Sequence, residues 1–124
     1  MNILTLALLL LAFGQPAPGL SGKWSGSFHV SGSDDHVPQF FILTQAGTKL
    51  TGTGGPDASE RYPIADGQVR GHHVTFDLTN AFAKFSYDLT DSGGQMKGRL
   101  IIRSIHNTLT ADLTSRKSTS LSSP

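Results

Sequence analysis

Imidazole and carboxylate side chains are the groups in this chain best suited to chemistry, and several of them fall at the ends of predicted strands. The chain has five histidines. His29 lies near the end of the first alternating segment, Asp34-Asp35-His36 lies on the polar loop after it, and His106 precedes the last segment. If the first and last segments pair, His29 and His106 become neighbours. A divalent metal at that rim would find nitrogen and oxygen ligands.

The spacing of these residues matches no standard metal-binding motif, so we interpret them as solvated surface histidines. His72 and His73 are adjacent in the sequence. Neighbouring residues of a strand point to opposite faces, so these two cannot bind one ion together. We therefore expect no metal and no cofactor.

Catalytic signatures are weak throughout the chain. Asp77 and Asp88 fall on neighbouring predicted strands, and paired carboxylates serve glycosidases. Both are predicted to face outward with Lys84 nearby, which is typical of a solvated charged face. No G-x-S-x-G turn occurs, and neither Gly54-Gly55 nor Gly93-Gly94 opens a phosphate-binding pattern. We predict no catalytic residues and a protein that is not an enzyme, with a secreted hydrolase as the least favoured reading.

The overall composition excludes several classes of partner. The chain has 124 residues, 15% charged residues, a net charge of +1 and no cysteine. No basic or acidic run suggests nucleic acid or a cation buffer. The absence of cysteine excludes disulfides and a lipoprotein anchor.

The two ends of the chain differ in composition from its centre. An apolar run extends from Ile3 to Phe13, too short to span a bilayer. We predict a signal peptide and spacer over 1–19, although its start lacks Lys and Arg; a buried N-terminal helix or strand is the alternative. One domain is expected over 20–116, and 117–124 is expected to be a disordered Ser-rich tail. The mature protein is then secreted or periplasmic, with no membrane association after cleavage.

Short segments of alternating polarity, separated by glycine-rich turns, run from Gly22 to Arg116. The first four cover 23–30, 39–45, 50–54 and about 62–69, the last with a bulge or kink at Asp66-Gly67. The last four place apolar residues alternately within 74–78, 85–89, 96–102 and 109–113. About eight such strands with short connections predict an all-β, single antiparallel up-and-down β-barrel, since closure removes exposed sheet edges.

The apolar positions of this pattern predict a barrel filled by its own side chains. Each fully buried large side chain contributes roughly 1.5–3 kcal/mol, so the set can offset chain entropy in a small domain. The number of inward residues argues against a large empty lumen. A ligand would then bind at the open mouth. The residues expected to face inward are Trp24, Phe28, Phe41, Leu43, Leu50, Val69, Val74, Phe76, Leu78, Phe85, Tyr87, Leu89, Met96, Leu100, Ile102, Leu109 and Leu113.

The first strand resembles a known family. Gly22-Lys23-Trp24 is similar to the G-x-W signature of the calycin barrels, the lipocalins and avidins, whose tryptophan closes one end of the barrel. Leu50-Thr51-Gly52-Thr53 resembles an avidin strand, but biotin pockets contain several tryptophans and this chain has one. Segments 20–26, 43–53 and 63–71 also resemble small secreted bacterial β-barrel domains of uncharacterised function. This likeness implies fold and export, and it implies no catalytic residues.

These observations predict a non-catalytic barrel that binds a small apolar or amphipathic ligand at its mouth, as a monomer or homodimer. The ligand-binding residues we expect are Trp24, Phe28, Phe41, Tyr62 and Tyr87, with Trp24 favoured as a core plug. The alternative is a protein- or glycan-interaction module that uses its outer face. That alternative rests on Phe40, Ile42 and Ile101, which are apolar and predicted to face outward.

Overall fold

A computed structural model describes residues 19–118. Residues 1–18 of the predicted signal peptide and spacer and residues 119–124 of the predicted C-terminal tail lie outside the described residues. The last strand continues through Lys117, one residue beyond the expected end of the barrel, and the Ser118 amide donates to the Lys23 carbonyl at 2.8 Å. Residues 19–118 include no helix long and apolar enough to cross a membrane.

Nine strands form one antiparallel sheet. Their order along the sheet is β2-β1-β9-β8-β7-β6-β5-β3-β4, and an additional pairing of β2 with β3 closes eight of them into a barrel. This confirms the predicted up-and-down β-barrel. The strands are β1 (Gly22–Val30), β2 (His36–Ala46), β3 (Lys49–Gly55), β4 (Tyr62–Pro63), β5 (Ala65–Arg70), β6 (His73–Thr79), β7 (Lys84–Ser92), β8 (Gln95–Arg103) and β9 (Thr108–Lys117).

The pairing between β3 and β5 is the shortest part of the closure. Lys49 lies opposite Gln68 and Leu50 opposite Gly67, after which the two strands separate. The segment predicted as one strand over 62–69 is in fact split into β4 and β5, with a register shift between Ala65 and Gln68. Asp66 has φ of 56° there, which places the expected irregularity at this point.

The second strand begins at His36, three residues earlier than the sequence indicated. The added residues include Pro38, which cannot donate a hydrogen bond to a sheet ladder. In the structure Pro38 lies opposite Ser27 within the pairing of β1 and β2. His36 therefore belongs to a strand rather than to the loop.

Close packing of β1 against β9 requires a glycine at position 26. A Cβ built on Gly26 would lie 2.0 Å from the Thr114 carbonyl oxygen. Gly52 has the same role between β3 and β2, with φ of 138° and an added Cβ 2.0 Å from the Ile42 carbonyl oxygen. The bend or close approach predicted at Gly52 is confirmed.

The lumen is filled by a single core. Most residues predicted to face inward are buried, whereas Phe85 and Ile102 are half-buried and Leu109 is 38% exposed. Leu20 is 1% exposed and belongs to this core although it precedes the first strand. Periodicity could not detect Leu20, because it has no alternating neighbours.

Candidate binding site at the barrel mouth

The two ends of the barrel differ in how they are closed. At one end, which we call the base, the Trp24 indole is fully buried and donates from Nε1 to the Leu20 carbonyl at 2.9 Å. Leu20 in turn donates its amide to Gln45 Oε1 at 3.3 Å. The segment before β1 therefore folds across the base, and Trp24 is the plug that the G-x-W likeness implied.

The opposite end, which we call the mouth, is where β1, β3, β6 and β8 end and their following strands begin. Four connections surround it, at 31–35, 56–61, 80–83 and 104–107. Acidic residues Asp34, Asp35, Asp57 and Glu60 lie on the first two. The other two carry no charged carboxylate and present Phe82 and Ile105.

A buried polar pair forms the floor of the mouth. The Tyr87 hydroxyl donates to Gln39 Oε1 in a buried hydrogen bond, and Gln39 Nε2 donates to the Pro38 carbonyl at 3.3 Å. Burial raises the pKa of Tyr87 well above its ordinary value. The phenol therefore stays neutral, and it serves as a fixed donor rather than as an acid.

The Tyr87 ring packs against two further aromatic rings, Phe76 and Phe41. Phe76 stacks on Tyr87 with ring centres 4.6 Å apart, and Phe41 meets both rings edge-on at 5.6 Å. Such arrangements stabilise by roughly 0.5–1.5 kcal/mol beyond the burial of area. The cluster fixes the orientation of the Tyr87 hydroxyl and blocks the way into the lumen.

Above the floor lies a small apolar cavity of about 40 Å³. Small-molecule sites usually measure about 300–1,000 Å³, so only a terminal group of a ligand fits inside. Its lining residues are Gln39, Gly54, Gly55, Pro56, Tyr62, Leu78, Thr79, Asn80, Phe85 and Tyr87.

The rim of the mouth carries the large exposed hydrophobic side chains of the described chain. Phe82 is 83% exposed and Ile105 is 92% exposed, both at the tips of connections. Val37 and Leu109 are partly exposed at the mouth ends of β2 and β9. An apolar surface gathered at one end of a barrel is typical of a binding surface, whereas scattered exposed residues need no explanation.

Side-chain hydrogen bonds hold in place the two connections that carry Phe82 and Ile105. Asn80 Oδ1 accepts from the Phe82 amide at 2.8 Å and from the Ala83 amide at 3.0 Å. Ser104 Oγ accepts from the His106 and Asn107 amides, each at 3.3 Å. Such local bonds replace backbone pairing in tight turns, so the tips present their apolar side chains on a defined scaffold.

Comparison of the chain with protein families, curated proteins and solved structures finds no match. The calycin likeness therefore rests on the closed eight-stranded barrel and on the plugged base. The site has to be argued from its own geometry.

The five predicted ligand-binding residues separate into two groups. Tyr62 and Tyr87 line the cavity at the mouth, and the Tyr62 hydroxyl donates to Glu60 Oε2 at 2.8 Å, which raises the pKa of Tyr62. Trp24, Phe28 and Phe41 are buried in the core. Of these, Phe41 lies directly under the cavity, where an added Cβ on Gly54 would be 2.5 Å from its ring.

Sequence reasoning missed Gln39, Phe82 and Ile105. Gln39 occupies an inward position of β2 and is 7% exposed, and a polar residue at an apolar position of the alternation was the signal available. Phe82 and Ile105 are apolar residues inside predicted turns. Turn residues are usually polar, so these two were also detectable as exceptions.

The candidate catalytic carboxylates are each paired with a basic side chain. Asp77 Oδ2 lies 3.6 Å from Lys84 Nζ, and Asp88 Oδ1 lies 2.5 Å from His73 Nε2. Across β6 and β7, Asp77 is opposite Ser86 and Asp88 is opposite Thr75, so the two carboxylates are not direct cross-strand partners. This arrangement suits a solvated charged face.

The expected proximity of His29 and His106 is wrong. On β9 the partner of His29 is Asp112, and Val30 at the end of β1 already lies opposite Ala111. His106 lies beyond this pairing, on the connection before β9. The neighbour of His29 is instead His36 on β2.

The outward apolar residues do not form one patch. Phe40 and Ile42 lie on β2, whereas Ile101 lies on β8, and β1 and β9 separate those strands. All three are half-buried. A wider open groove of about 570 Å³ follows the seam between β3 and β5, but polar and charged residues such as Lys49, Asp66 and Arg70 line most of it.

Proposed function

We propose that this protein is a non-catalytic binding protein that takes an apolar or amphipathic ligand at the barrel mouth. The observation that carries the proposal is the gathering of Val37, Phe82, Ile105 and Leu109 around one end of the barrel. A ligand placed there removes apolar surface from water, at roughly 25 cal/mol per Å².

The shape of the mouth indicates how such a ligand would lie. The Gln39–Tyr87 pair and the aromatic rings below it close the lumen. The 40 Å³ cavity admits one small apolar end of the ligand, beside Leu78 and Phe85. The remainder would rest against the rim, between the Phe82 and Ile105 tips, so binding is shallow and tolerant of ligand length.

The predicted signal peptide and spacer over 1–19 support action outside the cytoplasm. Its run from Ile3 to Phe13 has the length of a signal-peptide core, and the spacer after it is rich in proline and small residues. We propose a secreted or periplasmic protein on this ground, and the likeness to small secreted bacterial barrels agrees with it.

The test uses two fluorescent probes of different chemistry, neutral N-phenyl-1-naphthylamine and anionic 8-anilino-1-naphthalenesulfonate. We expect saturable binding of at least one probe to the wild-type protein. The double variant Phe82→Ser, Ile105→Ser should weaken it at least about tenfold while leaving the fold intact, because both side chains are exposed.

The matched control is Ile101→Thr, which removes apolar surface from the outer face of β8. It should leave probe binding unchanged. Equal losses in the control and the double variant would indicate binding on the outer face, as in the interaction-module alternative. Unchanged binding in the double variant, or no saturable binding at all, would contradict the proposal.

A further inference from the structure

Two histidines and an aspartate, residue types that can bind metal ions, lie side by side on three adjacent strands of the outer face of the barrel. His29 on β1 lies directly opposite His36 on β2 and, on its other side, opposite Asp112 on β9. Phe28 faces the core, so its neighbour His29 faces outward. Direct cross-strand neighbours have Cβ atoms about 4.5–5.5 Å apart, so the three side chains start from adjoining positions.

These residues share one surface concavity. It has a volume of about 380 Å³ and opens to solvent below the mouth. His29, His36 and Asp112 line it together with the Asp34 carboxylate from the connection between β1 and β2. The two imidazoles offer nitrogen ligands, and the two carboxylates add negative charge beside them. Imidazole nitrogen suits Zn²⁺ or Cu²⁺ better than Ca²⁺ or Mg²⁺, which prefer oxygen ligands. The remaining lining residues are Ser27 and Thr114.

The two imidazole rings are already at a suitable separation. Their centres are 5.3 Å apart and their planes are inclined by 30°. A tetrahedral metal with two metal–nitrogen bonds of about 2.0–2.1 Å holds the ring centres about 5 Å apart. Turning the rings from stacking toward a shared ion therefore needs side-chain rotation without movement of the strands. His36 is exposed to solvent, so its ring is not enclosed by core side chains.

We propose that His29 and His36 form a binding site for a divalent transition metal, with zinc as the reference ion. Within residues 19–118 no three histidine or carboxylate side chains stand together as a complete metal site. The protein therefore supplies two ligands and water completes the coordination. Asp112 and Asp34 contribute charge and accept hydrogen bonds from bound water or imidazole. Two cations on β8 limit this charge: Arg99 lies opposite Asp112, and Lys97 lines the neighbouring groove together with Asp112.

The test is calorimetric titration of the tag-free protein with ZnCl₂ at pH 7.5 and at pH 5. We expect saturable binding to a single site at pH 7.5. At pH 5 binding should be lost, because protons compete with a metal ion for imidazole nitrogens. His36→Ala should abolish measurable binding, and Asp112→Asn should weaken it about tenfold.

The matched control is His72→Ala, which removes an exposed histidine from the turn between β5 and β6. It should leave zinc binding unchanged. An independent readout is the imidazole NMR spectrum, in which zinc should shift the signals of His29 and His36 and leave those of His72 and His106 in place. Absence of saturable binding, or binding retained in His36→Ala, would overturn the proposal. Probe binding at the mouth does not depend on it, so the two proposals fail separately.

Discussion

The hydrogen bond between Tyr87 and Gln39 offers a quantitative test of how the mouth is built. Both groups are buried, and each is the side-chain partner of the other. Tyr87→Phe leaves Gln39 Oε1 without its donor, at a cost of about 1–3 kcal/mol in the free energy of unfolding. Gln39→Met leaves the Tyr87 hydroxyl without its acceptor and should cost a similar amount.

The double variant should be more stable than the sum of these losses predicts. Replacing both partners by apolar groups of similar shape removes the pair without leaving a buried polar group unsatisfied. We therefore expect a coupling free energy of about 1–3 kcal/mol between the two sites. Urea unfolding followed by circular dichroism measures all three variants. For a domain of this size each 1 kcal/mol corresponds to about 4–8 °C in Tm.

Additive losses would refute this reasoning. They would mean that Tyr87 and Gln39 stabilise the barrel through separate contacts, such as the stacking of Tyr87 on Phe76. The exposed variant Phe82→Ser is the control, and its stability should stay within about 0.5 kcal/mol of wild type.

Three further predictions concern the rest of the barrel. Because burial raises the folded-state pKa of Tyr87, the stability this group contributes is complete below its unfolded pKa of about 10 and falls by about 1.4 kcal/mol per pH unit above it. Tyr87→Phe should therefore reduce the fall of the free energy of unfolding with pH above about pH 10. An unchanged slope of this free energy against pH would contradict the prediction. Trp24→Phe should cost about 2–4 kcal/mol in urea unfolding, because the Leu20 carbonyl loses its donor and a cavity remains; a loss below 1 kcal/mol would argue against the plug. Gly26→Ala places a Cβ 2.0 Å from a β9 carbonyl and should lower Tm sharply, whereas Gly19→Ala, with 3.9 Å to its nearest atom, should not.

Alternation in the sequence was sufficient to predict the architecture. In a strand the side-chain period is two, so the apolar positions of β6 and β7 already identify which face is buried. Short turns then leave antiparallel pairing of neighbours as the simplest arrangement, and closure follows from the need to remove edges. The predicted inward faces therefore agree with the structure along most of the chain.

The candidate sites were harder to predict because they depend on register. Whether His29 meets His106 or His36 is decided by how far β1 slides along β9 and β2, and one strand's own pattern does not contain this offset. Leu20 was missed for a related reason. It lies across the base, where its carbonyl accepts from Trp24 and its amide donates to Gln45 25 residues away, and strand alternation gives no signal for such contacts.

On β7 and β9, exposure along the inward row rises from the base to the mouth, and this gradient explains why a filled barrel still offers a binding surface. On β9, Leu113 and Ala111 are almost fully buried, whereas Leu109 on the same face is 38% exposed. On β7, Leu89 and Tyr87 are buried and Phe85 is only half-buried. The alternation of inward apolar residues thus continues toward the mouth for one more inward position, Leu109 on β9 and Phe85 on β7, beyond the last fully buried residue. These two side chains stay partly exposed within residues 19–118. The mouth is therefore apolar as a consequence of the fold, and Phe82 and Ile105 add further apolar surface to it.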